Sequence, residues 1–329
     1  MLFIPIWICA QDLDHILLTR IVTQPNEAES FSIYNPTDSP IDLTNYYICD
    51  NADYYKIAVE PDAIYSSISS GFTAKFPSDL YIEPGDTLTI VLHENYREFY
   101  GDDFLPDLLM YGSDANSMLE TVSGSIGFGN NKIKEAYELL ILFYWDGEPN
   151  LVQDIDYFSW SSLSGINLNG IDKTGELTYK NDTPVESQLY FNGQTQEYNA
   201  YSRIGMVEID ETQSGGNGIN GHNETSENLR QSWEIWGMGC TDPNAANFDP
   251  DAIFDNGNCY ITISEIYNGS YNNLNVITQG IIVDYFDISS VSCSGSGPKL
   301  ITIEDELHNE LELSFFDSWD EMLSEISTC

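Results

Sequence analysis

Three carboxylates, Asp249, Asp251 and Asp255, stand in the run DPDAIFDNG, with Asn256 and Asn258 close by. Hard cations take oxygen ligands from Asp, Asn and backbone carbonyls, so the run reads as a candidate calcium site. It falls short of the EF-hand order, because Ala252, Ile253 and Phe254 interrupt the ligand spacing. A solvated, turn-rich loop is the competing and favoured reading. Cys240 and Cys259 bracket the same stretch. The residues between them are too poor in apolar side chains to pack a core. A crosslink there would offset loop entropy by about 3 kcal/mol in the chain-entropy view. No CxxC occurs, so neither a zinc ribbon nor a thioredoxin-type site is expected.

The four histidines are His15, His93, His222 and His308. They form no HExxH and no close pair along the chain, which leaves a zinc hydrolase without local support. His15 opens an apolar run and reads as a satisfied structural histidine. His222 lies in HNETSE beside Glu224 and Glu227. That group reads as a solvated loop, with metal or ligand binding as the alternative. No GxSxG supplies a nucleophile elbow. GSIGFG (124–129) lacks the order of a phosphate loop and reads as a turn. Carboxylate pairs recur at Asp102–Asp103, Asp154 with Asp156, and Glu304 with Glu306. In a chain this acidic, chance produces such pairs. A glycosidase-type pair would need a cleft between its members.

The balance is 11 Lys and Arg against 53 Asp and Glu, a formal charge of −42 over 329 residues. Nucleic acid and anionic membrane surfaces are disfavoured as partners, since both demand clustered cations. The opening MLFIPIWICA is too short to span a bilayer and reads as the apolar part of a signal peptide over residues 1–10. The basic segment that normally precedes it is missing, so a truncated start is expected. Cys9 would leave with it, and Cys49, Cys240, Cys259, Cys293 and Cys329 would remain. An exported chain can keep disulfides, and an odd number of cysteines leaves at least one thiol free or paired elsewhere.

The elements that would position these groups are mostly strands. HILLTRIV (15–22), SFSIYN (30–35), TLTIVL (87–92) and ELLILFYW (138–145) are short apolar runs between turn signals. Pro84-Gly85-Asp86 and Asp146-Gly147 are such signals. A short helix is expected within 96–110, where apolar spacing is near three to four. Residues 165–227 are rich in Gly, Asn, Thr and Asp and read as long surface loops, most of all QSGGNGINGHNETSEN. Beyond Cys259, ITISEIYN (261–268), NVITQGIIVDYFDI (275–288), PKLITIED (298–305) and ELELSFF (310–316) read as strands. WDEMLSEIST (319–328) could begin a helix.

Residues 15–50 resemble the lamin tail domain. The parts that carry the likeness are Ile16–Val22, Glu29–Pro36 (ESFSIYNP), Ile41–Leu43 (IDL) and Tyr46–Asp50 (YYICD). Pro84–Leu92 and Trp145–Tyr157 resemble secreted bacterial members, as do GIDKTG (170–175), NDTP (181–184) and the 215–229 stretch. The resemblance implies an immunoglobulin-like β-sandwich over 12–238, with long polar loops at 165–227 beyond the compact family core. Gly239–Cys259 is similar to a Cys-bracketed repeat of secreted bacterial multidomain proteins, and residues 239–260 are expected to be a disulfide-closed linker. Residues 261–329 resemble the first strands of an OB-fold module, through Thr278-Gln279-Gly280 and Ile301–Asp305. That segment carries Lys299 as its lone basic residue among many carboxylates, so a polyanion ligand is disfavoured there.

The expected class is therefore all-β: an immunoglobulin-like sandwich plus a partial OB-like module. The expected function is a secreted or cell-surface, non-catalytic binding, adhesion or tethering protein, with an extracellular ligand and no cofactor other than a candidate calcium. The alternative is the N-terminal targeting portion of a secreted nuclease or phosphatase whose catalytic domain lies beyond residue 329.

Overall fold

The computed structural model describes residues 13–59, 71–101, 104–112, 115–126, 133–147, 151–162 and 170–249. Further on it describes 252–255, 259–267, 278, 281–287, 299–304 and 310–315. The expected signal peptide and the 319–328 segment lie outside these residues, as do Cys9, Cys293, Cys329, His308 and Asp251. The chain divides into two compact units, Met1–Met238 and Gly239–Cys329. It is mainly β, with several antiparallel sheets and a few short helices. Among the described residues no helix is long and apolar enough to cross a membrane.

Apolar runs between turn residues become strands. In the first unit these are β1 (Leu17–Val22), β2 (Ser30–Tyr34), β3 (Ile41–Asp42), β4 (Tyr46–Cys49), β5 (Thr73–Lys75), β6 (Tyr81–Ile82) and β7 (Thr87–Val91). They continue with β8 (Leu108–Leu109), β9 (Leu119–Glu120), β10 (Tyr137–Tyr144), β11 (Gln153–Ser161), β12 (Asn199–Arg203) and β13 (Trp233–Gly239). One sheet runs β13-β12-β1-β2-β7-β8, antiparallel except for the parallel β7–β8 pair. The other is the antiparallel β11-β10-β4-β5-β9. Asn35 ends β2 and holds the turn that follows. Its amide donates to the carbonyls of Ser39 and Ile82, and its Oδ1 accepts from Thr37. At Pro84-Gly85 the chain turns with φ 78° at the glycine, and Asp86 N–H donates to Glu83 O.

The two sheets share one core. Leu18, Ile21, Phe31, Ile33 and Ile90 come from the first, and Ile48, Leu140, Leu142, Phe143 and Phe158 from the second, all without solvent exposure. Aromatic contacts close one end. The Phe158 ring lies 4.1 Å from Trp233 and 5.1 Å from Tyr201, centroid to centroid, and Trp160 lies 5.3 Å from Tyr201. Such pairs add about 0.5–1.5 kcal/mol each beyond the area they bury.

β11 is the edge strand of its sheet, yet every residue after Gln153 is buried. The free edge is covered by the polar segment. Phe191 bridges Trp160, Gly218 bridges Asp154, and Asp154 N–H donates to Asn217 O. Covering an edge satisfies backbone groups that would otherwise be open to other chains. The reading of 165–227 as surface loops is corrected here for the described part, 170–227. Regular structure is sparse there, but Ile171, Lys173, Thr195, Arg203, Glu208, His222, Glu224 and Glu227 are buried. The polarity of the segment misleads because Lys173 and Arg203 pair with carboxylates of β11 and of the segment itself rather than with water.

In the second unit, β14 (Ala252–Asp255) is followed by β15 (Ile281–Asp287), β16 (Lys299–Glu304) and β17 (Glu310–Phe315). The last three form an antiparallel sheet in the order β15-β16-β17. The expected strand at 261–268 is instead a short helix, Ile263–Tyr267. Ile263, Ile266 and Tyr267 stand at helical spacing, and the alternation in ITIS suits either state. The expected helix in 96–110 shrinks to Tyr96–Tyr100, because Gly101 takes φ 81° and ends it.

At the start of β10, Asp50 and Glu138 share a buried site. Phe72 N–H donates to Asp50 Oδ1 at 2.9 Å, and Lys134 Nζ lies 2.7 Å from Glu138 Oε2. Burial, then the neighbouring Glu138, holds the Asp50 carboxyl well above the ordinary carboxylate range. The folded state therefore binds more protons than the unfolded chain, starting from about pH 4, and this group's contribution to stability falls as pH rises through that window. Asp50→Asn keeps an acceptor for Phe72 and removes the titration. The pH slope of unfolding free energy from urea melts should become less negative by up to about 1.4 kcal/mol per pH unit. An unchanged slope would mean that Asp50 titrates normally.

Candidate functional site

The site is built on β11. Its Asp154 and Asp156 enter the interior, and each meets a cation delivered by the polar segment. Lys173 Nζ lies 2.7 Å from Asp154 Oδ2, 3.1 Å from Asp182 Oδ1 and 2.8 Å from the Tyr54 hydroxyl. The Tyr54 hydroxyl also donates to Asp154 Oδ1. Asn217 Nδ2 donates to Asp182 Oδ1. Burial, and then the charges of Asp154 and Asp182, hold the Tyr54 phenol well above its ordinary range.

Arg203 closes β12 and is the second cation. Its Nη2 grips Asp156 at 2.7 and 2.8 Å, Nη1 reaches Glu227 Oε1 at 2.7 Å, and Nε donates to Leu18 O at 2.9 Å. The guanidinium lies 5.1 Å from the centroid of the Trp233 ring. Leu18 N–H donates to Asp156 Oδ2 at 2.6 Å. Burial pushes the Asp156 carboxyl up, the guanidinium pulls it back, and Glu208 and Glu227 push it up again, to about 8.

Beside this pair sits an acid–histidine centre. His15 and His222, both 3% exposed, meet edge to face with ring centroids 5.2 Å apart. His15 Nδ1 lies 2.8 Å from Asp14 Oδ1, and Nε2 lies 3.3 Å from Glu208 Oε2. His222 Nδ1 lies 3.0 Å from Glu211 Oε1, and Nε2 lies 3.6 Å from Asp14 Oδ2. Asn220 Nδ2 donates to that same Asp14 oxygen. Burial opposes a charged His15, but hydrogen bonds to Asp14 and Glu208 outweigh it, and its pKa rises to about 10. Burial and then the charge of Glu208 raise Glu211 to about 9.

Glycines bring the loop close enough to build this centre. Gly218 N–H donates to His222 O, and Gly216 N–H to Gly221 O, both at 2.8 Å. A Cβ on Gly216 would sit 2.1 Å from His222 O, and one on Gly218 would sit 2.7 Å from Glu224 Oε1. Only a residue without a side chain fits at either position. Glu224 follows in a 3-10 turn, Glu224–Ser226, and its carboxylate is buried. Candidate metal-ligand atoms within 4.8 Å of one another group as His15, Glu208 and Glu224; as Glu208, Glu211 and His222; as Asp14, His15 and His222; and as Asp156, Glu208 and Glu227.

The surface above is a cleft of about 490 Å³. Tyr144, Asp146, Leu151, Tyr179, Lys180 and Asn217 line it, with Gly216 and Gly218 among its other walls.

The structure brings together His15 and His222, which are remote along the chain and formed no pair in the sequence. His222 is also no solvated loop residue. Glu208 and Glu211 escaped sequence reasoning, although the E-x-x-E and H-x-E spacings at 208–211 and 222–224 were visible. Of the candidate calcium ligands, Asp249 N–H donates to Cys240 O and Asp255 is exposed, while Asp251 lies outside the described residues. None of the ligand groups above includes Asp249 or Asp255. Cys240 and Cys259 form a disulfide. Cys49 is a buried free thiol whose Sγ lies 2.8 Å from Thr73 Oγ1, and burial pushes its pKa up.

Fold and site together define a mainly β protein with an acid–histidine centre buried behind a polar cover. Its structure is similar to that of a DUF4876 family protein from Bacteroides thetaiotaomicron, with a TM-score of 0.38 and 12% sequence identity over 72% of this chain and 75% of that one. No protein-family model and no curated protein matches the chain.

Proposed function

We propose that the chain is an exported, non-catalytic binding module. In this reading the first unit is an immunoglobulin-like sandwich of the lamin tail type. The Cys240–Cys259 segment is a linker, and the strands that follow belong to an OB-like module. One observation carries the choice of binding over catalysis. Lys173, Asp154, Asp182, Arg203, Asp156 and Glu227 are spent beneath the surface in pairs with one another instead of lining the cleft, where Asp146 and Lys180 are the charged groups. The cleft presents aromatic and hydrogen-bonding groups on a braced scaffold, which suits recognition. The Cys240–Cys259 disulfide supports an oxidising compartment. The net charge of −42 favours an uncharged or cationic ligand at the cell surface.

Calorimetric titration of the full chain against neutral and cationic cell-envelope polysaccharides tests this reading. Binding of a neutral polysaccharide should be saturable, and Lys180→Ala should weaken it by roughly 10-fold, as expected for loss of one charged contact. Turnover of phosphoesters or glycosides that maps to a residue of this chain would sink the proposal.

A further inference from the structure

Glu224 poses a specific problem. It is 1% exposed, and neither carboxylate oxygen has a hydrogen-bond partner. Burying a carboxylate in this way is costly, and native structures rarely leave it so. A proton would remove the charge but would still leave the carbonyl oxygen of the acid without a donor. The buried guanidinium of Arg203 is committed to Asp156 and Glu227. What does stand near Glu224 is a ligand set. Its carboxylate, one from Glu208 and a nitrogen of His15 lie within 4.8 Å of one another. Glu208 also belongs to a second such set, with Glu211 and His222.

We propose that this centre binds one divalent transition-metal ion. His15 Nε2, Glu208 and Glu224 are its core ligands, and His222 Nδ1 and Glu211 flank Glu208. Mixed imidazole and carboxylate donors suit zinc or manganese, whereas calcium takes oxygen ligands alone. Asp14 serves as the orienting partner. It faces His15 Nδ1 and His222 Nε2, which leaves the other nitrogen of each ring directed at the glutamates. Metal-bound histidines almost always have such a carboxylate or carbonyl behind them. Gly218 leaves the room that the Glu224 carboxylate occupies. The ion would tie the strand start at His15 to the polar segment, two parts of the chain that are remote in sequence.

The test uses the full chain, dialysed against a chelator and titrated with Zn²⁺ or Mn²⁺ while Ca²⁺ is held in excess to saturate oxygen-only sites. The expected result is about one equivalent bound, with a rise in the thermal midpoint. Glu224→Gln, which keeps the shape, should lose that equivalent, whereas the exposed Glu186→Gln should retain it. Asp14→Asn should weaken binding by about 10–100-fold. Failure of the wild-type chain to bind either ion, or equal binding by Glu224→Gln, overturns the proposal. Should Glu224→Gln not fold, Co²⁺ loading of the wild-type chain decides. Two paramagnetically shifted imidazole N–H resonances support the site, and their absence refutes it.

Discussion

Arg203→Met should destabilise the first unit by about 3–5 kcal/mol, the cost of removing one partner from a buried charge pair. The guanidinium is unexposed and makes four hydrogen bonds, two to Asp156, one to Glu227 and one to Leu18 O. Methionine fills much of the volume against Trp233 but leaves two buried carboxylates facing each other. Urea unfolding measures the loss. The deficit should shrink as pH falls, because protonation removes the orphaned charges. A loss below about 1 kcal/mol would place Arg203 among surface-like pairs and contradict the buried geometry.

The second large effect is expected at Lys173. Its ammonium is unexposed and lies among Asp154, Asp182 and the Tyr54 hydroxyl. Lys173→Met should also cost about 3–5 kcal/mol by the same argument. Here a second substitution sharpens the reading. Asp154→Asn keeps an oxygen for the Tyr54 hydroxyl and removes one orphaned charge. It should therefore recover part of the loss in the Lys173→Met background while being destabilising alone. Purely additive losses in the double variant would show that the two groups do not interact.

Both predictions place the weight of the fold on residues that a reading by composition assigns to loops. GIDKTG holds Lys173, and the stretch after β12 holds Glu208 and Glu211. Their surroundings are rich in Gly, Asn, Asp and Thr, which is also what an exposed loop looks like. Burial of such a segment depends on each polar group finding a partner. Those partners sit on β11 and before β1, far away along the chain, and nothing in the local spacing announces them.

The strands were legible. The runs at 17–22, 30–34, 87–91 and 137–144 carry the apolar and aromatic residues that pleated, buried surfaces require, and turn residues bound them. Asn35, Pro84-Gly85 and Gly101 act where they stand, because turn and cap chemistry is decided within a few residues. The mainly β class and the acidic surface thus follow from the sequence by itself. The acid–histidine centre does not. With 53 carboxylates in the chain, no single Asp or Glu is informative, and His15 and His222 are neighbours only after β1 and the Gly216–Gly221 turn are in place. Periodicity reports which way a side chain points relative to its own element. Which remote groups it then meets is set by the packing of two sheets and the path of the segment that covers their edge, so the tertiary structure alone decided the site.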